Sequence, residues 1–284
     1  MDLIREPFQY EFFRHGLLAA TMIGALCGLM GVFIVLRRMS YIGHGLSHSV
    51  FGGAVVSYLM GWNFYLGAGL WGFLSAVLID RAARKRGIGA DAAIGIVTTA
   101  SFALGVALIS KTRSFTRDFE AALFGNILGV TTQDLWAIGV VGVVVAVAVF
   151  FAYKQLLFST FDPDLAAIYG VPTHWVETGF ALALAATIVA SLNVVGATLI
   201  AAAIVIPSTT ARLLTDSFGK MLVISPVLGA LFGGLGMLGS YWFDVASGAA
   251  IVLLATAVFG AVLALTSLRQ GARGRRVRAA RGRE

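Results

Sequence analysis

Charge is scarce in this chain. Only 12% of its 284 residues are charged, against roughly 25% in soluble domains, while 58% are hydrophobic and the mean hydropathy is +0.88. That balance excludes a water-soluble globule. Cysteine is nearly absent: Cys27 stands alone, which excludes an internal disulfide or a multi-cysteine zinc cage. It reads as a small packing residue within the first apolar run. The mixed, charged opening from Met1 to Arg14 lacks the basic, apolar, small-residue order of a signal peptide, so the first apolar run is expected to stay as a span. No Gly-x-x-x-x-Gly-Lys-Ser/Thr phosphate loop occurs. If ATP powers this protein, another polypeptide binds it, and the chain itself is not expected to be an enzyme.

What the chain has in abundance is apolar runs of the length a helix needs to cross roughly 30 Å of hydrocarbon. They fall at about 17–36, 42–60, 64–80, 92–110, 134–153, 175–192, 195–211, 220–240 and 247–268. The fold class expected is an all-α polytopic membrane protein of about nine transmembrane helices. Eight are possible, because 175–211 reads either as one tilted helix or as two short spans meeting near Ser191 and Asn193. The expected organisation is an external N-terminal segment 1–16, a transmembrane domain 17–268 and a basic cytoplasmic tail 269–284.

The net charge of +7 is not spread as a nucleic-acid surface would be: seven arginines lie between Arg269 and Arg283. Arg37, Arg38, Arg81, Arg84, Lys85, Arg86, Lys154, Arg212 and Lys220 sit between apolar runs. They gather on one side, the cytoplasmic one, if the amino terminus is outside. The segment 111–118, with Lys111, Arg113 and Arg117, disobeys that rule. After it, Phe119 to Val130 is too short to cross and reads as a re-entrant or interfacial helix, with Asp118 and Glu120 placed to meet an incoming cation or a docking partner. Asn126, Glu177, Asn193, Asp244, Asp80 and Asp91 read as caps, helix ends and ion-pair partners. Gly24-x-x-x-Gly28 suits close helix contact in lipid.

The short run Gly43-His44-Gly45-Leu46-Ser47-His48 carries the most chemistry. Histidines at i and i+4 share a helix face, the spacing at which two imidazoles can reach one metal ion. Flanking glycines could loosen the helix and expose carbonyls there. The pair reads in two ways: as metal ligands, or as histidines hydrogen-bonded to carbonyls near the cytoplasmic interface. Neutral imidazole suits zinc, whereas manganese favours oxygen ligands. Metalloprotease chemistry needs a glutamate beside the first histidine, where Gly45 stands. An ion-coupled secondary transporter is the alternative transport class, and it needs a set of membrane-depth carboxylates.

Several stretches taken in order resemble the permease subunits of bacterial zinc and manganese importers of the ATP-binding-cassette (ABC) class, the metal ABC-3 type. They are Gly31-Val-Phe-Ile-Val-Leu-Arg-Arg-Met-Ser40, Gly43 to His48, Ile94-Gly-Ile-Val97, Phe102-Ala-Leu-Gly105, Leu123-Phe-Gly-Asn-Ile-Leu-Gly129, Phe161-Asp-Pro-Asp164 with Tyr169-Gly-Val-Pro172, and Ile206-Pro-Ser-Thr-Thr-Ala-Arg-Leu-Leu214. The resemblance implies a homodimeric permease of the cobalamin-importer (type II) fold in the bacterial plasma or inner membrane. It implies two ATPase subunits below and an extracytoplasmic metal-binding protein delivering cargo. It implies ATPase coupling through Pro207 to Lys220, carried by Pro207, Ser208, Arg212 and Asp216, with a second loop carrying Asp162 and Asp164 nearby. The family usually reads Gly-Asp-x-Leu-Ser/Ala-His at the metal motif, so His48 matches and His44 stands where aspartate is expected. The expected cargo is a divalent metal, zinc before manganese with iron possible, and no cofactor is expected to be bound permanently.

Overall fold

The computed structural model describes residues 6–84, 89–112 and 125–281, with side chains followed continuously to 268 apart from Thr112. Beyond two short 3-10 turns, its elements are α1 (Glu11–Leu36), α2 (Tyr41–Met60), α3 (Phe64–Ala83), α4 (Ala90–Thr112), α5 (Thr132–Phe151), α6 (Tyr153–Phe161), α7 (Pro163–Ile168), α8 (Thr173–Val195), α9 (Ala197–Leu214), α10 (Phe218–Phe243) and α11 (Ser247–Arg281). Among the described residues nine helices have 18 residues or more, one for each expected run.

Eight of the nine are apolar enough to cross a membrane on composition alone, and α2 is the exception. Its 20 residues include His44, His48, Ser47, Ser49, Ser57 and the glycines 43, 45, 52 and 53. It is accommodated because α3, α4, α8 and α9 pack against it. Polar groups at membrane depth are tolerated where protein rather than lipid surrounds them. By contrast α5 and α11 present Val143, Val144, Phe150 and Leu253 outward, as lipid-facing helices do.

The two ends of the bundle are tied separately. At one end Arg37, capping α1, donates from Nε to Thr160 Oγ1 at 3.1 Å and lies over the Phe180 ring at 4.6 Å. Burial pushes this guanidinium below the usual arginine value, with Glu177 opposing the shift. Nearby, Arg84 Nη2 bridges Asp80 at 2.8 Å and Glu177 at 2.7 Å, and Thr178 Oγ1 donates to Asp80 Oδ2 at 2.9 Å. Phe218, at the α9–α10 junction, meets the rings of Phe33 and Tyr153 at this same end. At the other end the Tyr65 hydroxyl donates to Asp134, Phe13 meets Tyr241, and Asn126 N donates to Asn193 O at 2.9 Å. Successive long helices among the described residues therefore run in alternating directions between the two ends, and the basic residues 37, 84 and 154 lie at the first end. Asp80 and Glu177 act as the ion-pair partners the sequence suggested.

Glycine lets α1 and α10 touch backbone to backbone. A Cβ on Gly24 would strike the Gly229 carbonyl, one on Gly229 would strike that of Gly24, and Gly233 faces Ala20 in the same way. Ser225 Oγ donates to Gly28 O at 2.7 Å in the next turn. This extends the expected Gly24/Gly28 contact into a two-sided stripe.

The run 175–211 is two helices, but they part at Gly196 rather than at Ser191 and Asn193. Gly196 has φ 81° and ψ 156°, a region essentially confined to glycine. Ser191 stays helical, satisfying its hydroxyl on Thr187 O at 2.7 Å. The charged stretch 113–118 with Asp118, and most of the short piece 119–130 with Glu120, lie outside the described residues. Its described end, 125–130, forms the 3-10 turn Ile127–Gly129, capped by the Asn126 side chain. There Gly125 lies against Val194 and Gly196, and Ile127 against Gly16.

Candidate metal site

His44 and His48 project from one face of α2, both half-buried. Their ring centroids are 4.5 Å apart and the planes are inclined by 74°. Tyr41 flanks His44 at 5.5 Å. Phe102 of α4 meets the His48 ring edge-on at 5.6 Å. Among the described residues no hydrogen bond engages either imidazole, so both keep nitrogen lone pairs or N–H groups for another partner.

The glycines around this pair do not loosen the helix, which runs unbroken from Tyr41 to Met60. Gly45 instead admits α4: a Cβ there would strike the Ile94 side chain and come within 2.9 Å of Thr98 Oγ1. Gly43 lies against Ile204 of α9. Their use is close helix approach, which brings two neighbours to the histidine turn.

Ser47, between the histidines, is fully buried. Its Oγ shares a donated hydrogen bond between His44 O at 2.8 Å and Ala197 O at 3.0 Å. Ala197 opens α9 immediately after the break at Gly196. The histidine turn is thus tethered to the point where two helices part. Sequence reasoning passed over Ser47 and Thr98. The signal available for Ser47 was a small polar residue between two candidate ligands on a glycine-rich helix. Thr98 had no signal to set it apart from Thr99 and Ser101 beside it, and among the described residues its buried Oγ1 has no partner.

Among the described residues the two imidazoles are the only potential metal-binding side chains brought together here. Among the described residues no group of three or more His, Cys, Asp or Glu side chains could hold a metal. The six expected coupling residues divide. Pro207 and Ser208 are buried inside the bundle, with Ser208 Oγ donating to Ile204 O at 2.6 Å beside Gly31. Arg212 is partly exposed and pairs with exposed Asp216 at 2.9 Å. Asp162 caps α7 through Oδ1 to Leu165 N at 2.9 Å, and Asp164 is exposed in the first turn of α7.

The sequence profile described as the ABC 3 transport family matches residues 9–266. The chain belongs to the ABC 3 transport family. A manganese transport system membrane protein of Listeria monocytogenes is 40% identical over 251 residues, covering 88% of this chain and 89% of the relative. The solved structure of PsaBC from Streptococcus pneumoniae in complex with Fab contains a chain 34% identical to this one. That likeness has a TM-score of 0.82 and covers 92% of this chain and 94% of that one. A metal-chelate type ABC transporter solved in an inward-facing conformation shares the fold at a TM-score of 0.72 and 16% identity, over 88% of this chain and 84% of that one. This ABC 3 family chain is therefore a multi-pass protein of the bacterial cell membrane with the type II importer permease fold.

Proposed function

We propose that this chain is the permease of an ATP-driven importer that carries a divalent transition metal inward, with manganese as cargo and His44 and His48 as its transient ligands. The observation that carries the reading is the face-sharing imidazole pair on α2, a helix set inside the bundle of a chain 40% identical to a manganese transport membrane protein. Two nitrogens hold the ion only part-way around. The remaining positions are left for water, for Thr98 Oγ1 or for a second copy of the chain across a homodimer axis. Incomplete ligation suits transport, because an ion must be able to leave.

The partners follow from the same reading: an extracytoplasmic metal-binding protein that delivers the ion, and separate ATPase subunits at the cytoplasmic end. Contact with the ATPase would come from α6–α7, where Phe161, Ile168 and Tyr169 are exposed beside Asp162 and Asp164, and from Arg212 and Asp216. Buried Pro207 and Ser208 would shape α9 from within. An ion-coupled carrier is less well supported, since Asp80 and Glu177 are both ion-paired to Arg84, and Asp134 is engaged by Thr131 and Tyr65.

Zinc is the second reading, favoured by one observation: both donors are imidazoles, and imidazole suits zinc better than manganese. Competition separates the two. With the chain reconstituted beside its ATPase and binding protein, uptake of radiolabelled manganese should require ATP and persist under equimolar zinc. Manganese uptake abolished by equimolar zinc, with zinc itself accumulating, would transfer the assignment to zinc.

A further inference from the structure

Behind α2, on the side away from the histidines, a cavity of about 320 Å³ opens at the end of the bundle that holds Arg37 and Arg84. Ile42 and Leu46 line it. They stand two positions from His44 and His48, roughly 200° around the helix. Ile79, Phe180 and Ala181 complete an apolar wall, and α6 closes one side with Ser159 and Thr160.

Among the described residues two polar atoms in this lining have no partner. Arg37 Nη2 is buried and unpaired, although Nε of the same guanidinium is satisfied by Thr160. Ser159 is 4% exposed, and its Oγ is unpaired as well. An orphaned buried donor is costly, and a guanidinium edge beside a hydroxyl is an arrangement that receives an oxyanion. The carboxylates that also line the cavity are already engaged: Asp80 by Arg84 and Thr178, Glu177 by Arg84. The four charges, Arg37, Arg84, Asp80 and Glu177, sum to zero, which suits a singly charged anion better than a dianion.

We propose that this cavity binds a phosphate-type oxyanion, seated on Arg37 Nη2 and Ser159 Oγ. The apolar wall and the single charge favour the phosphodiester of a lipid headgroup over free phosphate. A ligand there would touch α1, α2, α3, α6 and α8 together. It would brace the helix that carries the histidines against the α6–α7 segment.

The test uses the purified full-length chain assembled with its ATPase and stripped of lipid. Native mass spectrometry reads binding of three probes: dihexanoyl phosphatidylglycerol, inorganic phosphate and uncharged dihexanoylglycerol. The wild type should bind one phosphatidylglycerol per chain and no dihexanoylglycerol at the same concentration. Arg37→Gln should weaken phosphatidylglycerol about tenfold or more, the loss of a charge-assisted hydrogen bond, while Arg37→Lys retains part of the affinity. Inorganic phosphate binding as tightly as the lipid, with the same Arg37 dependence, would support the oxyanion site and overturn the lipid as its source. Wild-type affinity in Arg37→Gln would overturn the proposal, as would a high-resolution map showing only water or an ATPase carboxylate at Nη2. If Arg37→Gln is not monodisperse, Ser159→Ala decides: a several-fold loss supports the site, and unchanged affinity overturns it.

Discussion

Gly229→Ala is the sharpest test of how this bundle is assembled. The new Cβ would overlap the backbone carbonyl of Gly24. No side-chain rotation relieves that overlap, because the obstruction is itself main chain. The two helices must move apart, and overpacking of this kind costs about 1–3 kcal/mol. Separation also stretches the bond from Ser225 Oγ to Gly28 O, 2.7 Å long and one turn away, adding about 0.6 kcal/mol for an interhelical hydrogen bond in a membrane. The expected loss is therefore about 2–4 kcal/mol. Gly239, on the same helix, has nothing within 4 Å of its would-be Cβ. Gly239→Ala should be neutral or stabilising by up to about 1 kcal/mol through helix propensity. Reversible unfolding in mixed micelles, followed by circular dichroism, measures both variants. Equal stability of the two would refute backbone contact as what holds α1 to α10.

Three further substitutions probe other joints. Gly196→Ala forces a side chain into φ 81°, ψ 156° and should cost about 1–3 kcal/mol, read as lowered thermal stability; an unchanged melting temperature would mean that the break between α8 and α9 is not fixed there. Arg84→Gln leaves Asp80 and Glu177 facing each other without their shared cation and should cost about 1–2 kcal/mol after solvent screening, recovered by adding Asp80→Asn and Glu177→Gln. Ser47→Ala removes the tether to Ala197. It should cost about 0.5–1.5 kcal/mol and slow metal uptake more than stability alone explains, and proportionate losses in both would demote Ser47 to packing.

Nine helices were legible because each apolar run had to match the hydrocarbon thickness, and α2 was recognised although its composition is the least apolar. Its polar residues make sense only once its neighbours are seen. The break at Gly196 was missed because Ser191 and Asn193 are the conspicuous polar residues there, whereas backbone conformation, not polarity, decides where the helix ends. The glycines beside His44 were read as loosening the helix, yet they admit Ile94, Thr98 and Ile204, a tertiary fact that no local pattern carries. His44 and His48 share a face because i and i+4 must. The tether from Ser47 to Ala197, spanning 150 positions, and the Arg84 bridge to Glu177 had no local signature. The exposure of Arg212 and Asp216 against the burial of Pro207 and Ser208 could not be separated within one continuous motif.

The most direct test of the central claim is ATP-dependent metal uptake into proteoliposomes holding this permease with its ATPase and binding protein, comparing wild type with His44→Ala/His48→Ala. Uptake by the wild type that falls to background in the double variant, with the complex still assembled and still hydrolysing ATP, is the result expected if the imidazole pair carries the ion. Undiminished uptake by the double variant would contradict it.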